Sequence, residues 1–140
     1  MTPAQIKLVQ QSFAEVAPIA DKAAEMFYGR LFEIAPQVRK LFPDDLTEQR
    51  KKLMTTLAVV VNGLNNMDSI FPAAAALAKR HVAYGAQATH YPVVGDALLW
   101  TLERGLGPSW TPDVAAAWAS TYAALSGFMI NAAHSRESAA

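Results

Sequence analysis

Apolar residues recur every three or four positions along nearly the whole chain, and nowhere do they alternate with period two for long enough to propose a strand. The pattern predicts an all-α fold. Thr2-Pro3-Ala4-Gln5 places a hydroxyl before a proline and a glutamine three positions on, a capping-box arrangement that opens the first helix. Ile6, Val9, Phe13 and Val16 mark its inward face, and Pro18 closes it. A second helix follows to about Ala35 with Ala23, Phe27, Leu31 and Ile34 on one stripe, and Pro36 then starts a short helical turn that finishes at Phe42-Pro43. Asp44, Asp45 and Thr47 are cap candidates for a long helix that carries Leu53, Leu57, Val60, Val61 and Leu64 and ends at Asn65-Asn66. A further helix is predicted from about Ser69 to Tyr84, and Gly85 to His90 reads as a loop. Tyr91-Pro92 begins a helix that reaches Leu106, where Gly107-Pro108 ends it. The last helix opens at Thr111-Pro112-Asp113, passes through Trp118, Tyr122, Leu125 and Met129, and is expected to fray after His134 into a mobile end over about 135–140.

These elements fill the chain without an internal repeat or linker, so one domain spanning 1–140 is expected, burying roughly two-thirds of the surface its unfolded form exposes. Hydrophobic residues make up 52% and charged ones 17%, which rules out a disordered tail and leaves apolar surface for something to fill within the core. Twelve basic side chains balance twelve acidic ones, so no positive field is available for nucleic acid or an anionic membrane. The start lacks a basic segment followed by an apolar run, and the longest aliphatic stretch, Leu57 to Val61, is too short to span a bilayer. A soluble, cytoplasmic protein is expected. With no cysteine, disulfides, iron–sulfur clusters and thiolate zinc sites drop out, and any metal chemistry falls to histidine or carboxylates.

Of three histidines, His81 alone sits inside an amphipathic helix, on the face of Leu77 and beside Ala78 and Val82. An apolar setting keeps imidazole neutral, the form that donates a lone pair to a metal. By itself the position more often belongs to an ordinary helix histidine that meets water or a carbonyl. A second group lies upstream: Tyr28 on the second helix, Phe42 at a proline-flanked corner, and Gln49 and Leu53 one helical turn apart, able to face one cavity. Singly, Tyr28 and Phe42 read as core aromatics and Gln49 as a solvated side chain.

Their order changes the weighing. A proline-started turn ending in Leu41-Phe42, then Gln49, then a helix histidine at 81 resembles a globin, and the likeness runs from the first helix to the last. Met26 through Phe32, Pro36 through Phe42, Lys79-Arg80-His81 and His90 through Gly95 are similar to the haem domain of bacterial flavohaemoglobins and their single-domain relatives. The resemblance implies a globin fold, helices three over three around one haem b (iron protoporphyrin IX). It implies His81 as the proximal iron ligand and Phe42 packed on the porphyrin. Tyr28, Gln49 and Leu53 then form the distal side, with Tyr28 and Gln49 stabilising the gas ligand. Leu57 would close the pocket, while Leu77, Tyr91 and Val94 would flank the haem. Lys52 and Arg80 would reach propionates or stay solvated, and His90 and His134 fall outside the pocket.

Where the family often pairs the proximal histidine with a tyrosine and a glutamate, Tyr91 matches the first but Ala133 replaces the second, so peroxidase-like activation is not expected. Nor is there room after the last helix for flavin and nicotinamide domains, so a separate reductase is the expected electron source. The implied function is tight oxygen binding by a monomeric or weakly dimeric protein, with oxygen, NO and CO as candidate ligands in storage, transport or related roles. The alternative is an NO dioxygenase served by that reductase. A gas sensor, or a helical interaction module without haem, ranks below both.

Overall fold

A computed structural model describes residues 2–83 and 90–139, with side chains at 2–81 and 90–132. Among the described residues are six α-helices and no strand: α1 (Pro3–Val16), α2 (Ala20–Ile34), α3 (Thr47–Asn62), α4 (Met67–Ala83), α5 (His90–Leu106) and α6 (Pro112–Ala139). Tight 3-10 turns at Ala17–Ile19, Pro36–Leu41 and Gly107–Ser109 join several of them. The predicted loop over 85–89 lies outside the described residues, and His90 is the first residue of α5 rather than the last of that loop.

Local chemistry explains most boundaries. The Thr2 hydroxyl accepts from the Gln5 amide at 3.1 Å while the Thr2 amide donates to Gln5 Oε1 at 3.1 Å, so two of the orphan donors of α1 are satisfied reciprocally. Asp45 supplies the cap of α3, its carboxylate accepting from the Thr47 amide at 3.0 Å and the Thr47 hydroxyl at 2.7 Å. α3 ends at Asn62, before the asparagine pair expected to end it. The reason is tertiary: the Gln10 amide of α1 donates to the Val61 carbonyl at 3.0 Å and to Asn65 Oδ1 at 2.7 Å, tying off the last turn from a neighbouring helix. α4 opens at Met67, two positions ahead of the expected Ser69, whose hydroxyl instead donates to the Asn66 carbonyl at 2.7 Å. Gly107, at φ +54°, turns the chain between α5 and α6 in a conformation that a β-carbon disfavours. The backbone of α6 stays helical to Ala139, past His134 where fraying is expected to begin.

The helices pack most extensively as α2 on α5, α4 on α6 and α1 on α6, with α3 against α2 and α1. Val9, Phe13, Val16, Phe27, Leu31, Val61, Leu98, Leu102 and Trp118 fill the main core. Trp118 is buried with its indole N–H donated to Ser12 Oγ at 2.8 Å, and Ser12 Oγ lies 2.7 Å from the Leu8 carbonyl oxygen to which it donates. Ile34 departs from the expected stripe: it is 38% exposed, because α2 ends there and the chain turns so that Ala35 and Val38 cover the core instead. A second apolar cluster, of Ala74, Ala78, Tyr91 and Met129 with Leu77 packed against it, lies where α4, α5 and α6 meet.

Candidate functional site

Three aromatic rings gather at the corner between α2 and α3. Tyr28 and Phe32 are one helical turn apart on α2, which places both on one face, and the Pro36–Leu41 turn brings Phe42 back against them. Centroids lie 5.6 Å apart for Tyr28 and Phe42, 5.4 Å for Phe32 and Phe42, and 6.0 Å for Tyr28 and Phe32, with Phe27 a further 4.9 Å neighbour of Tyr28. Edge-to-face contacts at such distances fix ring planes as well as fill space. Tyr28 is only 4% exposed, so its hydroxyl needs a partner, and Gln49 is the side chain whose electrostatic influence reaches it. Burial pushes the Tyr28 phenol up and Gln49 offsets part of that, so the group stays an O–H donor throughout the neutral range. Leu53 and Leu57, further along α3, line a small apolar cavity with Phe13, Phe27, Met54 and Leu98. Tyr28 and Phe42 share ring contact, while Leu53 and Leu57 line the cavity, whose wall includes Phe27 but not Tyr28, Gln49 or Phe42.

The histidine stands on α4. His81 Nδ1 lies 2.8 Å from the carbonyl oxygen of Leu77, one turn earlier on its own helix. A carbonyl only accepts, so Nδ1 is the donor of that bond and Nε2 is the ring nitrogen left for another partner. Leu77 packs on the α4/α5/α6 cluster in which Tyr91 is buried, while Val94 packs, half-buried, on the main core. Burial raises the Tyr91 phenol. The Tyr91 backbone is held from α6: the Tyr122 hydroxyl donates to the Tyr91 carbonyl at 2.5 Å, and burial is the main cause of the strong upward shift of the Tyr122 phenol. The Tyr122 ring approaches α5 so closely that a β-carbon at Gly95 would sit 2.6 Å from it. Gly95→Ala is therefore expected to cost about 1–3 kcal/mol of stability by overpacking. A lower urea midpoint at unchanged slope would show it, with Gly29→Ala, where the added carbon meets nothing within 4 Å, as the harmless comparison.

Other expected participants are placed differently. Lys52 and Arg80 are exposed, and neither forms an ion pair among the described residues. His90 opens α5. His134 and the side chain of Ala133 lie outside the described residues. Two contributors escaped the sequence reading. Tyr122 was read only as part of a helix face, and Arg39, beside Lys40, reads as part of a solvated charge run. The guanidinium of Arg39 instead reaches the carbonyls of Phe42, Pro43 and Asp44 at 3.4, 2.9 and 3.2 Å. It also sits 5.0 Å over the Phe32 ring.

The donor chemistry bears on what such a site could hold. No group of three or more histidine, cysteine or carboxylate side chains able to hold a bare metal ion occurs among the described residues. A single imidazole whose Nε2 is left for another partner would suit a metal that arrives within its own macrocycle and needs one bond from the protein. A haem iron meets that description, and the residues present fit it. No helix among the described residues is long and apolar enough to cross a membrane.

An all-α fold, with an imidazole on α4 and a buried tyrosine on α2 beside the helix that carries Gln49, defines the class. Residues 25–129 match the Globin family, and the chain belongs to it. A curated flavohemoprotein of Rhodopirellula baltica is 29% identical over 128 residues, which cover 89% of this chain and 31% of that protein. The chain therefore spans about a third of that relative's length. Among solved structures, a bacterial globin from Campylobacter jejuni superposes with a TM-score of 0.86 at 21% identity over 98% of this chain and 99% of that one. An engineered carbene transferase made from a proposed nitric oxide dioxygenase of Rhodothermus marinus gives a TM-score of 0.88 at 24% identity, over 99% and 97% of the two chains. These two likenesses bear on fold. A globin fold implies a haem cofactor.

Proposed function

We propose that the protein binds haem b through His81 Nε2 and holds dioxygen on the opposite side with the Tyr28 hydroxyl, aided by Gln49. The observation that carries this reading is the buried Tyr28, set among Phe27, Phe32 and Phe42 with Gln49 within electrostatic reach. When bound, haem supplies a ferrous iron with one position open to a diatomic gas. The chain's own residues decide which gas is favoured. Tyr28 offers a neutral O–H donor, Gln49 receives or redirects it, and Leu53, Leu57 and Phe27 keep water away. Dioxygen takes on negative charge under these conditions and gains from a donor, whereas carbon monoxide gains less.

The other side supports binding rather than bond scission. His81 Nδ1 donates to a backbone carbonyl, a weaker acceptor than a carboxylate, so this bond would push little electron density toward the other ring nitrogen. Ala133 supplies no carboxylate to change that.

The second reading is an enzyme that combines NO with dioxygen and one electron to give nitrate, the electron coming from a separate reductase. The flavohemoprotein relative favours keeping it. Oxygenated protein mixed with NO gives nitrate in a single turnover under either reading, so sustained turnover decides. With a flavin reductase and nicotinamide supplied, the binding reading expects NO consumption to stop after about one equivalent, whereas continued consumption at a steady rate establishes the enzyme. The proposal further places the protein in the cytoplasm, as a monomer or weak dimer; sedimentation at micromolar concentration tests the latter.

A further inference from the structure

Arg39 makes contacts that a surface cation does not usually make. Its guanidinium donates to the carbonyls of three consecutive residues, Phe42, Pro43 and Asp44, at 3.4, 2.9 and 3.2 Å. Its own carbonyl accepts from the Phe42 amide at 3.1 Å, and its Cζ lies 5.0 Å over the Phe32 ring. Among the described residues no carboxylate lies within ion-pair distance of it. The side chain is half-buried, and its donors are committed to backbone oxygens. Only a planar fork with five N–H groups can serve three carbonyls at once; an ammonium on a flexible stem lacks that preset geometry.

What the fork holds is the frame of Tyr28. Phe32, whose ring Arg39 covers, and Phe42, whose backbone it holds, both pack on the Tyr28 ring, at 6.0 and 5.6 Å. The third carbonyl, that of Asp44, adjoins Asp45, whose carboxylate caps α3 at Thr47 two positions before Gln49. One guanidinium thereby links the ring plane of Tyr28 to the start of the helix that carries Gln49. We infer that Arg39 is a positioning residue for the Tyr28 hydroxyl and so sets discrimination between dioxygen and carbon monoxide without touching either gas. This rests on the reading of Tyr28 as the distal donor.

The test is a double-mutant cycle on haem-loaded protein with Arg39→Lys, which keeps charge and loses the fork, and Tyr28→Phe. Oxygen and carbon monoxide dissociation are timed for all four proteins, and deuterium uptake of amides 42–47 is measured in the carbon monoxide complex. Arg39→Lys is expected to speed oxygen release about fivefold when Tyr28 is present, and by less than about twofold on the Tyr28→Phe background. Carbon monoxide release should change by less than about twofold in both, while deuterium uptake at 42–47 rises in both. Equal acceleration of oxygen release on the two backgrounds, or none on either, overturns the positioning role while leaving the Tyr28 reading intact. If Tyr28→Phe alone leaves oxygen release unchanged, the distal reading itself fails and the inference falls with it. Arg39→Gln gives a second entry to the same cycle should the lysine variant fail to fold, and the same outcomes apply.

Discussion

His81→Ala is expected to yield a colourless, helical protein that loses added hemin on gel filtration. Under the proposed reading His81 would supply the protein's bond to the iron, and the substitution removes that donor. Changing an outer partner of a metal ligand commonly weakens a site about ten- to a hundredfold, and removing the ligand itself should weaken hemin retention by about a hundredfold or more. The Soret band is the measurement, with free imidazole as rescue: the cavity left by the ring admits it, and colour should return. His90→Ala, at the first residue of α5, should keep its full Soret intensity. A His81→Ala protein with an unchanged ferrous spectrum would mean that another group ligates the iron.

The second large effect is expected at Tyr28. Removing one hydroxyl leaves the ring, its contacts with Phe27, Phe32 and Phe42, and the packing of α2 in place. What disappears is a donor held in a buried position and kept protonated by that burial. A hydrogen bond to a charged acceptor is worth roughly 1.5–3 kcal/mol, so Tyr28→Phe should speed oxygen release about tenfold or more. Carbon monoxide release should change much less. Stopped-flow displacement of one gas by the other reads both rates in the same preparation. Equal changes for the two gases would show that Tyr28 shapes the pocket sterically and does not act as a donor.

How much of this was legible beforehand depended on how local each feature is. The first helix announces itself in four residues, and its capping box forms as read, because every atom involved lies within one turn. The corner at Phe42 and the approach of Gln49 to Tyr28 were readable only as a pattern of residue types at family-like intervals; nothing in their chemistry alone separates them from ordinary packing. Features set by distant chain segments stayed hidden. The stop at Asn62 belongs to Gln10 of another helix, and Ile34 lies in the open because the chain turns away beneath it. Arg39 next to Lys40 looks like solvated charge until the three carbonyls it gathers are seen. The close approach of Tyr122 to Gly95 likewise required two helices to be set side by side.

The candidate donors and the candidate ligand are anchored in separate apolar clusters. Tyr28 belongs to the main core with α2 and α3, whereas the neighbours of Leu77 and Tyr91 form their own cluster where α4, α5 and α6 meet, and the two share Leu125 at their margins. Such a partition makes the molecule modular in the evolutionary sense. Under the proposed reading, substitutions around the corner would retune the choice of gas while the grip on iron is inherited unchanged, and drift beneath α4 would alter that grip without resetting the choice.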